Sequence, residues 1–256
     1  MTRNHLESTL PGKLAQSVPV DGAPALAELK SMALLTHCDR EQEICSQGVT
    51  AEHWYSVVSG VAREYLVRAN GRRQIVDVLL PGDLFGFAAR DKYRFAVRSV
   101  VSGTVIAHYP RKRFDALANN DQAVGKMFRD QLSRTVERLQ EELLVVGRMT
   151  AAEKVGNYLL RMSQRLPHLR NKQITLPVSR YDIADALGIS VETVSRVLTE
   201  LKTEGLIRLG RPRQFSIPDR HSLEDAGDKP GGRTDARSSG SQIDHDQCRE
   251  ELAVLQ

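Results

Sequence analysis

Cysteine is scarce in this sequence: Cys38, Cys45 and Cys248 are the only three in 256 residues. So odd and sparse a set excludes a disulfide scaffold and suits a reducing, cytoplasmic setting. Aromatic residues make up only 5%, with none in the first 28 residues and none after Phe215. Both ends therefore lack core-forming material. Residues 1–29, punctuated by Pro11, Pro19 and Pro24, read as a flexible arm in which only Leu26, Leu29 and Met32 begin a helical spacing. Residues 219–256, with Gly227 to Gly232 and Ser238 to Ser241, read as a disordered tail. No apolar run approaches the roughly 18 residues of a membrane span. The first twenty residues carry His5, Glu7, Pro11 and Pro19 without the apolar stretch of a secretory signal. The seven histidines, His5, His37, His53, His108, His168, His221 and His245, are scattered singly. Metal-dependent catalysis on a small β-barrel needs clustered His and carboxylate ligands, so no metal and no enzyme is expected. A phosphate-cradling glycine loop and a nucleophile elbow are missing as well.

What is present is an ordinary globular balance, 41% hydrophobic and 27% charged, with a formal net charge of +4. That excess permits an anionic partner; only its placement gives it meaning. Between Ile44 and Tyr109 short apolar runs alternate with glycines. Trp54 to Val58, Ala62 to Val67 and Gln74 to Leu80 read as strands, with Asn70-Gly71 as a hairpin turn. Val97 to Tyr109 adds a strand pair around Ser102-Gly103. Strands at this spacing indicate an antiparallel sandwich or jelly roll. From Asp121 to Met149 the period turns helical. Leu132, Val136, Leu139, Leu143 and Val146 follow a 4, 3, 4, 3 spacing, an a/d seam with charged flanks. Such a seam packs either on its own sheet or on a second copy in a homodimer. A length of roughly 40 Å at 1.5 Å per residue favours the homodimer.

Beyond Thr150, Ala152 to Gln164 reads as a helix and Ile174 to Pro177 as a strand. Ser179 followed by Asp182 has the form of a capping box. Its helix buries Ile183, Ala184 and Leu187 and stops at Gly188. Ser190 starts a second helix through Lys202, with Val194, Val197, Leu198 and Leu201 inward. Two short helices joined by Leu187-Gly188-Ile189-Ser190 make a helix-turn-helix. The second presents Glu192, Thr193, Ser195, Arg196 and Thr199 near its N-terminal end, where a recognition helix meets base edges. Arg196 suits guanine O6 and N7, Glu192 suits cytosine N4, and Ser195 suits either a base or a phosphate. Strands around Gly210-Arg211-Pro212-Arg213 complete a wing whose Arg208, Arg211 and Arg213, with Ser179, Thr193 and Thr199, suit the DNA backbone. Taken alone, Glu192 and Arg196 at i,i+4 are also an ordinary solvated pair.

The run Leu187-Gly188-Ile189-Ser190-Val191-Glu192-Thr193-Val194-Ser195-Arg196-Val197-Leu198 resembles the recognition region of the Crp/Fnr superfamily of bacterial transcription regulators. Upstream, Gly48, Tyr55, Val58-Ser59-Gly60, Gly71-Arg72, Pro81-Gly82-Asp83 and Gly86 resemble its barrel, so the likeness covers about residues 30 to 218. It implies an α+β chain: a cyclic-nucleotide-binding-like β jelly roll (30–120), a dimerisation helix (121–149) and a winged helix-turn-helix (150–218). Glu192, Ser195 and Arg196 resemble the Fnr and FixK branch, which implies a TTGAT…ATCAA inverted repeat as the double-stranded DNA partner and RNA polymerase as a further one.

The same resemblance frames the barrel's signal. Cyclic-nucleotide sites of the family resemble Gly-Glu-Leu followed by an Arg-Ser/Thr pair. This chain has Gly86-Phe87-Ala88 and Tyr93-Arg94-Phe95-Ala96 instead, with Phe85, Phe87 and Phe95 expected to fill the barrel. Three cysteines do not make a four-thiolate iron–sulfur site. Cys38 and Cys45 remain a candidate redox pair, with His37 nearby to favour thiolate, and His53 or His108 a candidate haem ligand. A FixK-type regulator without cofactor fits these absences; an effector-gated regulator is the alternative. A ligand-binding dimer with a vestigial DNA-binding domain is the competing class.

Overall fold

A computed structural model describes residues 23–169, 172–211 and 213–227. Helix α1 (Ala23–Met32) leads into strands β1 (Leu34–Cys38), β2 (Glu43–Cys45), β3 (His53–Ser59), β4 (Ala62–Val67) and β5 (Arg73–Leu79). Next come β6 (Leu84–Phe85), β7 (Ala88–Ala89), β8 (Lys92–Tyr93), β9 (Ala96–Ser99) and β10 (Thr104–Pro110). Two four-stranded antiparallel sheets, ordered β1-β10-β3-β6 and β2-β9-β4-β5, face each other as a jelly roll. Tyr55, Val57, Phe85 and Ile106 from one sheet meet Cys45, Ala62, Leu79 and Val97 from the other. The expected strands and their turns are present, and Asn70-Gly71 does join β4 to β5. At Gly60 (φ 81°) the chain passes so close to Thr104 that a Cβ would lie 2.6 Å from its Cα, which reserves the position for glycine.

Helices α2 (Arg111–Asn120) and α3 (Gln122–Arg148) follow, then α4 (Ala151–Arg165). Asp121 caps α3 by accepting from the Val124 amide, and Thr150 with Glu153 forms a capping box on α4. Trp54 on the outer face of the first sheet packs edge-on to Phe87 and Phe128, beside Phe114. Leu29 and Met32 of α1 join that cluster, so residues 23–29 of the expected flexible arm are a docked helix. Residues 1–22 lie outside the described residues. Of the three phenylalanines expected inside the barrel, Phe85 is there. Phe87 packs on Trp54 outside it, and Phe95 is half-buried beneath the Arg94 guanidinium.

The remaining elements are β11 (Ile174–Thr175), α5 (Arg180–Leu187), α6 (Val191–Thr203), β12 (Arg208–Leu209), β13 (Gln214–Ser216) and α7 (Arg220–Gly227). Strands β11-β13-β12 form the wing sheet. Helix α7 corrects the expectation of disorder from Asp219 onward. Leu223, the buried one among its described side chains, is 2% exposed in the core that Val155, Leu159 and Ile183 share. A lone leucine among mostly polar neighbours leaves no period to read; the docking surface on α4 supplies the burial that orders it. Residues 228–256, Cys248 among them, lie outside the described residues.

Candidate nucleic-acid interface

Helices α5 and α6 start from built caps. Ser179 accepts from the Asp182 amide at 3.2 Å and donates to the Asp182 carboxylate at 2.7 Å, while Asp182 reaches back to the Ser179 amide at 3.0 Å. Gly188 ends α5 in the left-handed conformation (φ 65°, ψ 33°), where an added Cβ would have free space but a strained backbone. Ser190 caps α6 through the Thr193 amide at 3.1 Å. The inward face of α6 is Val194, Val197, Leu198 and Leu201, all buried.

The outward face carries the residues singled out for base reading. Glu192 and Arg196 are exposed and Ser195 is half-buried, one turn apart along the helix. Hydrogen bonds from the helix start and from Ser190 hold the Glu192 carboxyl below its usual range, so it stands ready as an acceptor. Thr199 is exposed, and its hydroxyl donates to the Ser195 carbonyl at 3.0 Å. Thr193 is half-buried with its hydroxyl 3.0 Å from that of Ser190. Ser179 and Thr193 are thus tied to caps. Two residues escaped the sequence reading. The Arg180 guanidinium donates to Ser195 Oγ at 3.3 Å, which brings a second arginine to the reading face. Tyr181 beside it is 69% exposed. Their position just inside the Ser179 cap was the available signal, because the first residues of α5 must flank the start of α6.

On the wing, Arg208 and Arg211 are exposed. Arg213 is exposed too, but in a left-handed turn (φ 67°) with its guanidinium 3.4 Å from the Pro177 carbonyl, so it also ties the wing to the strand before α5. The seam on α3 faces away from the barrel. Thr135 is buried and Arg138 nearly so, whereas Val136 is 52%, Leu139 39% and Leu143 74% exposed. Leu132 is half-buried, and the side chain of Val146 lies outside those described. Within one chain this apolar stripe has water for a neighbour.

The barrel interior tests the candidate signals. Cys38 and Cys45 are buried in β1 and β2, on opposite sheets. Burial, then Asp39, pushes the Cys38 thiol up; burial, then Glu64, pushes Cys45 up to about 12. That is the reverse of the thiolate character a redox pair needs, and it corrects the expectation placed on His37. The His53 and His108 rings are 6.1 Å apart, and burial followed by His53 lowers the His108 pKa. Among the described residues no group of three or more His, Cys, Asp or Glu is placed to hold a metal ion. Inside the barrel, Glu64 and Asp77 face each other across β4 and β5, on the side of Ala62 and Leu79. Burial, then Asp77, pushes Glu64 up to about 8, and burial raises Asp77 against the pull of Arg138 and Arg165. Arg138 of α3 reaches Asp77 at 2.6 Å and Asp83 at 3.0 Å; Arg165 of α4 pairs with Asp83 and lies 3.8 Å from Asp77. The chain's own arginines already serve Asp77 and Asp83.

Comparison with known proteins agrees with this architecture. A Crp-like helix-turn-helix domain model matches residues 153–226, and a cyclic nucleotide-binding domain model matches residues 35–121. The nitrogen fixation regulation protein FixK of Azorhizobium caulinodans is 39% identical over 189 residues, 72% of this chain and 75% of that protein. The transcriptional activatory protein AadR of Rhodopseudomonas palustris is 35% identical over 182 residues, 70% and 76% of the two chains. The structure of FixK2 from Bradyrhizobium japonicum superposes with a TM-score of 0.71 at 32% identity, covering 78% of this chain and 99% of that one.

Proposed function

The chain belongs to the Crp/Fnr family of DNA-binding transcription regulators, in its FixK-type branch, and on that premise we propose that it binds a TTGAT…ATCAA-like inverted repeat as a homodimer. The observation that carries this is the pairing of two outward faces on one chain: the reading face of α6 and the apolar stripe of α3. Joining two copies through Leu132, Val136, Leu139, Leu143 and Val146 buries that stripe and relates the two α6 helices by a two-fold axis. Two recognition helices then meet successive major grooves roughly 34 Å apart, which calls for an inverted repeat. The working units are residues 30–120, 121–149 and 150–218, with 219–227 added to the last because of α7.

In this reading Arg196 takes the guanine of each half-site and Glu192 the cytosine opposite it, with Ser195 at an adjacent base or phosphate. Thr199, Arg208, Arg211 and Arg213, with the capping residues Ser179 and Thr193, meet the phosphates. The regulator acts in the cytoplasm as an activator that engages RNA polymerase. No helix among the described residues is long and apolar enough to cross a membrane. Because the internal arginines occupy the barrel's acids, DNA binding proceeds without an added effector. Footprinting on genomic fragments tests this: a protected inverted repeat, unchanged by cyclic nucleotide, haem or oxidant, is expected. Binding that needs one of them would restore the effector-gated alternative. Loss of the footprint in Leu139→Asp/Leu143→Asp, with the monomer still folded, is the matching test of the seam.

A further inference from the structure

The helix that carries the reading face on its shoulder is held by the barrel from behind. Asp182, Asp185 and Ala186 stand at i, i+3 and i+4 on α5, one face of the helix, while Ile183, Ala184 and Leu187 face the winged-helix core. Arg63 of β4 reaches Asp182 at 3.1 Å, a pair only 6% and 7% exposed, and its other arm is held by Glu41. Arg73 of β5 reaches Asp182 at 3.3 Å and Asp185 at 2.9 Å. Between these pairs Ala186 packs against Tyr65, Ile75 and Ala96, and Arg73 lies over the Tyr65 ring at 5.9 Å. Asp182 is also the capping-box acid of α5, so the group that starts the helix-turn-helix is the group the barrel grips.

We infer that Arg63 and Arg73, acting through Asp182 and Asp185, are positioning residues for DNA recognition: they set the angle at which each winged helix presents α6, and thereby the half-site spacing the dimer accepts. This rests on the inverted-repeat homodimer proposed above. Covalently, the winged helix hangs from α3 only through Met149 and Thr150, both extended. Apolar contact through Val61, Val78, Leu80 and Val100 holds the two parts together, but such contact is non-directional. The ion pairs are directional and fix register. They leave Glu192 and Arg196 untouched and exposed, so the grip orients the reading face without covering it. A dimer whose reading heads are held at one angle gains the avidity of two linked sites only on DNA of matching spacing.

The test uses the full chain and duplexes carrying the TTGAT…ATCAA repeat with its central spacer changed by single base pairs, beside a duplex with one half-site. Wild type should prefer one spacer. Asp185→Arg should lose on the order of tenfold in affinity at that spacer and bind neighbouring spacers almost equally, with half-site binding undiminished. Arg73→Asp/Asp185→Arg, which restores the pair with its charges exchanged, should recover the preference. Arg63→Met should act in the same direction as Asp185→Arg; if it does not fold, the exchange at the one-third-exposed Arg73 and Asp185 decides. An unaltered spacer preference in Asp185→Arg overturns the inference, and so does failure of the exchange to recover it. Wild type that binds no such duplex overturns the proposed DNA site, and this inference with it.

Discussion

The barrel and helix α6 both carry charged side chains, but the barrel hides Glu64 and Asp77 while α6 displays Glu192 and Arg196. In the barrel, Glu64 and Asp77 are 8% and 5% exposed, and Arg138 reaches Asp77 from α3. On α6, Glu192 and Arg196 stand exposed one turn apart, and among the described residues neither makes an ion pair. Buried charge is costly to desolvate and becomes a structural commitment once its partner is in place. Exposed charge contributes little to folding and stays free to meet a base or a phosphate. The same residue types therefore lock one half of the molecule and equip the other.

The largest effect should come from breaking the hidden network. Arg138→Met removes the nearer of the two arginines that serve Asp77, with Arg165 left 3.8 Å away, and should cost about 3 kcal/mol of stability in urea denaturation. A loss below about 1 kcal/mol would place Asp77 among the displayed charges instead. Next, Arg196→Ala should lose about 1–3 kcal/mol of discrimination at one base pair per half-site while stability stays within about 0.5 kcal/mol. Equal weakening on specific and random DNA would remove Arg196 from the base-reading set.

Glu64 sharpens the contrast through pH. Its folded pKa of about 8 lies above the ordinary 4.5, so the folded chain binds the proton more tightly than the unfolded one. The associated stability is complete below about pH 4.5 and is lost as pH rises through 8. Glu64→Gln, neutral at every pH, should thus gain about 1–2 kcal/mol on wild type at pH 9 and show a shrinking difference toward pH 5. Parallel pH profiles of the two thermal midpoints would contradict this. The smallest effect belongs to the wing. Arg211→Ala should weaken all sequences alike by under about 1 kcal/mol and lower the slope of log affinity against log salt by about one. Sequence-dependent loss would move Arg211 from the backbone to the bases.

Much of the winged helix was legible in the chain. Ser179 with Asp182, Ser190 before Val191, and Gly188 are local signals, because caps and left-handed turns depend on residues within one turn of each other. The a/d stripe of α3 was legible for the same reason. Helix α7 was not, since Leu223 is ordered by α4 and not by its sequence neighbours. The expected thiolate at Cys38 failed similarly: His37 is adjacent in sequence, but β1 directs Cys38 into an apolar core.

By itself, the sequence determined the local grammar of this protein: which segments alternate with period two, which repeat every three to four residues, and where caps and turns stop them. Local backbone energetics act over a few residues, so a linear text carries them. Only the tertiary structure decided which charges are spent and which are free. Arg63 and Asp182 are 119 positions apart, and Arg165 and Asp83 are 82; nothing near either residue announces its partner. Burial decides whether a carboxylate is a structural tie or a contact in waiting, and burial is a property of the whole packed chain.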